Sequence, residues 1–221
     1  MTGRTATPAT QAVREVRDFL LANRTDYAAT LAGFHWPELT EFNFALEWFD
    51  VVAAEHPDRA AVTIVSADLT ARSWSYAELS RRSDQVANWL LSLGVRRGSK
   101  LIVMLNNTIE LWEVMLGIYK IGAVAIPTST LLSATDLAYR CEHGGASAVV
   151  APTALAGRFG DLDQSLIRIG VGPDLPSGWV SVADSLAASP TFTPDQPTPA
   201  GDPSLLYFTS GTTSRPKLVR H

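Results

Sequence analysis

Strands and helices alternate in residues 100–151, which read KLIVMLNNTIELWEVMLGIYKIGAVAIPTSTLLSATDLAYRCEHGGASAVVA. Short apolar runs predict buried strands, and apolar residues spaced three or four positions apart predict helices. The predicted strands are 100–105, 123–126 and 147–151, and the predicted helices are 109–121 and 133–144. Strand–helix–strand units in series favour a parallel sheet. We therefore predict an α/β fold, a layered sandwich with a mostly parallel sheet flanked by helices.

The residues before this segment predict helices followed by a hairpin. Apolar spacing predicts a helix over 10–31, broken near Asn23, and a second over 42–53. Strands at 61–65 and 72–76 form the predicted hairpin. Ser75 and Glu78 then form a capping box that starts a helix ending at Gly94. Aromatic residues at helical spacing are interpreted as core rather than as a ligand cage: Trp36, Phe42, Phe44, Trp48 and Phe49.

Four parts follow from this pattern. Residues 1–56 are an N-terminal helical segment, 57–172 an α/β unit, 173–203 a Pro-rich surface connection, and 204–221 a truncated segment with a strand and a phosphate-binding loop. The connection is assigned because it holds seven of the 13 prolines, with Ser, Thr and Asp between them. Only a short piece at 179–182 within it is apolar.

Composition excludes several classes of function. The chain has 18 Lys and Arg against 22 Asp and Glu, a net charge of −4, and no basic block. We therefore expect no nucleic-acid partner and no anionic membrane partner. No apolar run approaches the roughly 18 residues of a membrane span, and residues 1–8 are polar, so a cytoplasmic location is expected. Cys141 is the single cysteine and lacks partners at metal-ligand spacing, so no metal site is predicted.

Residues 207–217, YFTSGTTSRPK, carry the strongest chemical signal. Backbone N–H groups of a tight glycine-containing loop, hydroxyl donors and a lysine together suit phosphate. The segment also follows a buried-looking strand, and open α/β sheets bind ligands at the carboxyl ends of their strands. An ordinary Ser/Thr-rich turn is the plainer alternative. A Walker A loop is disfavoured, because Pro216 precedes Lys217 and Leu218 follows it.

The same loop resembles the signature of the adenylate-forming (AMP-binding) superfamily. Two upstream segments support the resemblance in the same order, WSYAEL at 74–79 and KIGAVAIP at 120–127. The likeness extends from about residue 35 to the end and is greatest to acetyl and medium-chain acyl-CoA synthetases. Helices 109–121 and 133–144 fall within it.

The resemblance implies an ATP-dependent ligase that activates a carboxylic acid as an acyl-adenylate and then forms a thioester, as in fatty acid metabolism. It implies ATP with Mg²⁺ and CoA as cofactors. The residues matching those that contact the β- and γ-phosphates are Thr209, Ser210, Gly211, Thr212, Thr213 and Lys217. Ser214 departs from the family pattern, which has glycine there.

The sequence stops at His221, inside a predicted strand over 217–221. The family's later motifs, including its catalytic lysine and small C-terminal domain, lie beyond that point. No catalytic residue is therefore predicted in these residues, and the 221-residue chain is expected to be inactive alone, with the missing C-terminal half as a partner. A naturally truncated, non-catalytic module that binds nucleotide or a partner protein is the alternative. A module of that kind should melt cooperatively, whereas a fragment should expose an apolar face.

Overall fold

The computed structural model describes residues 4–160, 162–209 and 215–221. Its α-helices are α1 (Pro8–Ala22), α2 (Tyr27–Gly33), α3 (Asp50–Glu55), α4 (Tyr76–Ser92), α5 (Ile109–Lys120) and α6 (Ala134–Gly144). Its strands are β1 (Ala60–Val65), β2 (Ala71–Ser75), β3 (Lys100–Val103), β4 (Val124–Pro127), β5 (Ala148–Pro152), β6 (Ile167–Val171), β7 (Val180–Ser181), β8 (Leu206–Thr209) and β9 (Lys217–Arg220). A π-helical turn (Phe44–Phe49) precedes α3, and 3₁₀ helices follow β5 (Thr153–Phe159) and β7 (Val182–Ala187).

Five parallel strands form the central sheet, in the order β4–β3–β5–β6–β7. Successive side chains of a strand point to opposite faces. In β3, Leu101 and Val103 pack in a core with α4 and α5, whereas Ile102 packs in a second core with α6. Helices therefore cover both faces, and the predicted α/β sandwich with a parallel sheet is confirmed.

Local signals start the helices where they were predicted. The Ser75 hydroxyl accepts the N–H of Glu78 at 3.2 Å, and the Glu78 carboxylate accepts the N–H of Ser75 at 2.7 Å. The Ser133 hydroxyl likewise accepts the N–H of Asp136 at the start of α6. The break in the first helix is also present, because α1 ends at Ala22 with Asn23 as its cap.

Helices α4 and α5 approach closely at Gly117. A Cβ atom at this position would lie 2.6 Å from Cγ1 of Val86, which is fully buried. Any larger residue would push the helices apart, because a packed interior leaves no room for extra methyl groups. The close packing of α4 against α5, which together cover one face of the sheet, therefore depends on this glycine.

Two of the sequence interpretations are wrong in part. Trp36 is 79% exposed and Phe44 is 50% exposed, so these two aromatic residues are not core. Helical spacing predicted burial, but Trp36 lies outside any helix and makes an edge contact with Phe34.

The 173–203 connection is not wholly on the surface either, because Ser185 and Phe192 are buried in it. It also supplies β7 at the sheet edge, a strand that the sequence analysis did not predict.

The last two strands form an antiparallel hairpin beside the central sheet. The N–H of Ala125 in β4 donates to the carbonyl of Ser204 at 3.0 Å, which holds the hairpin's first strand against the sheet edge. Leu206 and Phe208 are buried in the core that contains α6. Across the three described ranges, no helix combines the length and apolar character required to cross a membrane.

Candidate functional site

The β8–β9 hairpin brings together the two ends of the predicted phosphate loop. Thr209 pairs with Lys217 in the strand register, and the Thr209 hydroxyl donates to the Lys217 carbonyl at 3.4 Å. Both side chains are exposed. Of the six residues assigned to ATP phosphates, Thr209 and Lys217 therefore flank the connecting segment. Ser210, Gly211, Thr212 and Thr213 lie outside the described residues, as does Ser214, and the assignment stays a prediction.

Helix α6 forms the wall beside this end of the hairpin. The guanidinium of Arg215 lies 5.0 Å from the ring centroid of Tyr139, and the Tyr139 hydroxyl donates to the Pro216 carbonyl at 3.3 Å. His143, four residues later in α6, stacks on the Tyr139 ring. The ring centroids are 5.2 Å apart and the angle between the ring planes is 10°. This contact could not be predicted, because nothing in the sequence distinguishes Tyr139 from an ordinary helix residue.

A second arginine also contacts the hairpin from α6. The guanidinium of Arg140 lies 4.6 Å from the ring centroid of Phe208 in β8. Burial lowers the pKa of Arg140, and Asp136 opposes that shift, but arginine stays protonated in proteins. Arg140, Arg215 and Lys217 thus place three positive charges on α6 and the hairpin. This is the charge that a polyphosphate requires.

Acidic metal ligands are not gathered in the same way. Within the described ranges, no group of three or more His, Cys, Asp or Glu side chains could hold a metal ion. Mg²⁺ is commonly bound through substrate phosphates, water and one or two carboxylates rather than a protein cage.

Cys141 of α6 faces the core below the wall and is 7% exposed. Burial raises the pKa of its thiol from an ordinary 9.0 to about 11. The thiolate is the reactive form of cysteine, so Cys141 is a poor nucleophile here.

Two further ionic clusters were not foreseen. Lys120 is fully buried and pairs with Asp50 at 2.8 Å and Asp84 at 2.6 Å. Glu113 is 6% exposed and pairs with Arg82 at 3.0 Å. Sequence spacing could not identify the ion-pair partners of Lys120 and Glu113, because the paired residues lie on different helices.

A cavity of about 650 Å³ lies beside the Lys120 cluster. Its carboxylates already have partners: Glu47 accepts from Thr7 at 2.8 Å, and Asp84 accepts from Lys120. Asp50 accepts from the Ser80 hydroxyl at 2.7 Å and from Arg4 at 3.2 Å. The carboxylates named here thus already serve as ion-pair or hydrogen-bond partners of neighbouring elements.

Comparison with known proteins adds an independent line. The family described as AMP-binding enzyme matches residues 49–221. YtcI of Bacillus subtilis (strain 168), an uncharacterized acyl-CoA ligase, is 37% identical over 152 residues, which cover 67% of this chain and 28% of YtcI. The mitochondrial acyl-coenzyme A synthetase ACSM5 of Homo sapiens is 30% identical over 190 residues, which cover 81% of this chain and 33% of ACSM5.

Solved structures agree with the fold. The crystal structure of a Brucella canis acyl-CoA synthetase superposes with a TM-score of 0.74 at 26% identity, covering 92% of this chain and 37% of that one. The chain thus spans about a third of the length of the curated relatives it matches, 28% and 33% for the two named above.

Proposed function

Because the chain belongs to the AMP-binding enzyme family, we propose that its β8–β9 hairpin binds the phosphates of ATP while a carboxylic acid is activated to an acyl-CoA. The observation that supports this most directly is the pairing of Thr209 with Lys217 at the end of the hairpin. A lysine and hydroxyl there, with Arg215 two residues before the lysine, offer donors and positive charge to the β- and γ-phosphates.

The proposed reaction has two steps. A carboxylate oxygen forms a bond to the α-phosphorus of ATP, the bond from that phosphorus to the bridging oxygen breaks, and pyrophosphate leaves. The thiol of CoA then attacks the acyl carbon, loses its proton and releases AMP. In the first step negative charge grows on the leaving pyrophosphate, and positioned cations lower the energy of that charge. Lys217 and the neighbouring arginines would hold this leaving group.

Mg²⁺ would enter bound to the triphosphate and neutralise part of its charge. The described residues contribute no step through the ion. Their role would be to hold the phosphate end of the nucleotide. The acyl chain and the CoA thiol are substrates of the proposal, and the cytoplasmic location expected from the sequence stays a prediction.

A polypeptide of these 221 residues alone is proposed to bind ATP without turnover. The relatives that support the family extend about three times as far, and activation needs groups that orient the acid as well as the phosphates. Net charge of −4 supports small-molecule substrates over nucleic acid.

Lys217→Ala tests the proposal. Removing a charged hydrogen-bond donor should weaken MgATP binding roughly 10- to 150-fold, as charged hydrogen bonds contribute about 1.5–3 kcal/mol. Isothermal titration calorimetry on the 221-residue chain measures the dissociation constant. Arg24→Ala is the matched control, because Arg24 is an exposed cation on the distant helical segment and should bind MgATP as the parent chain does.

The same preparations are assayed for pyrophosphate release from ATP with a panel of carboxylic acids. No release is expected from the parent chain. Unchanged MgATP affinity in Lys217→Ala would contradict the assigned role of the hairpin. Absence of MgATP binding by the parent chain would favour a partner-binding module instead.

A further inference from the structure

We infer that Tyr139 is a positioning residue for Lys217, an inference that rests on the proposed role of the hairpin in binding ATP phosphates. Tyr139 lies on α6, 77 residues before Pro216 in the sequence, and its hydroxyl donates to the Pro216 carbonyl at 3.3 Å. Pro216 immediately precedes Lys217. The contact therefore fixes the backbone just before the lysine.

The Pro216 carbonyl needs a hydrogen-bond donor, as backbone carbonyls generally do, and the Tyr139 hydroxyl supplies one at 3.3 Å. Lys217, the next residue, pairs with Thr209 in the strand register, and the Thr209 hydroxyl reaches the Lys217 carbonyl at 3.4 Å, a long hydrogen bond. The hydroxyl of Tyr139 thus adds a hydrogen bond from α6 directly beside this pair.

The ring of Tyr139 supports the same end from its face. Arg215 lies over it at 5.0 Å, within the range of a cation–π contact. His143, one helical turn away, stacks on the ring at 5.2 Å and limits its rotation. Leu137 and Cys141 anchor the same helix in the core. Tyr139 therefore contacts the two residues before Lys217 from a rigid element.

This arrangement implies preorganisation. A cationic side chain held near its bound position loses less conformational entropy when phosphate binds. Without the contacts of Tyr139 with Arg215 and Pro216, the nucleotide itself would have to order Lys217. Tyr139 is then expected to influence ATP affinity without touching ATP.

The test uses the 221-residue chain and three variants. Tyr139→Phe removes only the hydroxyl, Tyr139→Leu also removes the aromatic face, and Tyr27→Phe is the matched control, because Tyr27 is 79% exposed on α2. Nuclear magnetic resonance measures the amide exchange rates of Lys217 and Leu218, with those of Leu101 and Ile102 in β3 as the reference for global stability. Calorimetry measures MgATP affinity.

In Tyr139→Phe, exchange at Lys217 should be about fivefold faster, as expected for loss of one neutral hydrogen bond. MgATP affinity should fall by a similar factor or less, while exchange in β3 and the melting temperature stay unchanged. Tyr139→Leu should show the larger local effect, and Tyr27→Phe none. A merely structural role would instead speed exchange in β3 and at Lys217 together.

The inference is overturned if Lys217 exchanges at the parent rate in Tyr139→Phe, or if exchange rises while a measurable MgATP affinity does not change. Failure of the parent chain to bind MgATP is a different result, because it overturns the proposed function on which the inference rests. The exchange rates then still show whether the Tyr139 contact holds the hairpin. Tyr139→Phe alone decides the matter if Tyr139→Leu does not fold.

Discussion

Replacing Lys120 by methionine should destabilise the protein by about 3–5 kcal/mol, the typical cost of removing one partner from a buried ion pair. Lys120 is fully buried between Asp50 and Asp84 and donates to the Ser80 carbonyl at 3.1 Å. The substitution leaves two carboxylates without their shared cation. Urea unfolding measures the free energy, and a fall in Tm of roughly 6–20 °C is expected for a chain of this size.

The size of this effect follows from where the lysine lies. Burial raises the pKa of Asp84, and the Lys120 ammonium opposes that rise. Asp50 keeps contacts with Arg4 and with the Ser80 hydroxyl. Losing the Lys120 ammonium should therefore affect Asp84 more than Asp50. Adding Asp84→Asn to Lys120→Met should therefore recover part of the lost stability.

Lys217→Met is the matched control, because Lys217 is exposed on β9 and exposed substitutions usually change stability by about 0.5 kcal/mol or less. A Lys120→Met chain that unfolds at the parent urea concentration would show that the pair contributes no net stability. In that case the cluster would be replaceable by apolar contacts, as some buried ion pairs are.

The fold was predictable because its determinants are local. Strands β3 and β5 are short apolar runs, and the serines at 75 and 133 start helices through contacts three residues away. The order of strands within the sheet was not predictable in the same way. β7 has only two residues, which is too short for a periodic pattern, and its place beside β6 depends on the core around Trp179 and Val182.

The candidate site was predictable in part. Hydroxyl residues, glycine and lysine within one short segment indicated phosphate, and the hairpin places Thr209 opposite Lys217. Tyr139 could not be found from sequence, because its partner lies 77 residues away. Lys120 was noticed only within a family-like segment, since its burial between two carboxylates depends on three helices meeting. Helical spacing also gave no means of telling exposed Trp36 from a core aromatic residue.

Arg82→Met should have an effect of similar size, but one that depends on pH. Arg82 donates to both oxygens of Glu113, at 3.2 and 3.0 Å, and to the Gln85 side chain at 2.8 Å. The side chains of the pair are 14% and 8% exposed. Removing the guanidinium leaves a buried carboxylate, which should cost about 3–5 kcal/mol at neutral pH. Urea unfolding at pH 8 measures this cost.

The pH dependence follows from the pKa of Glu113. Burial raises it above its ordinary value, and Arg82 is the main group that lowers it, so the variant should raise it further. A folded state with the higher pKa binds more protons than the unfolded state, and stability then falls as pH rises through the folded pKa. The deficit of Arg82→Met should therefore be smallest near pH 4.5 and largest at pH 8. In Arg82→Met/Glu113→Met the carboxylate is gone, so most of the stability should return and the pH dependence caused by Glu113 should disappear. An equal deficit at both pH values would show that lost packing of the arginine, not the buried charge of Glu113, causes the destabilisation.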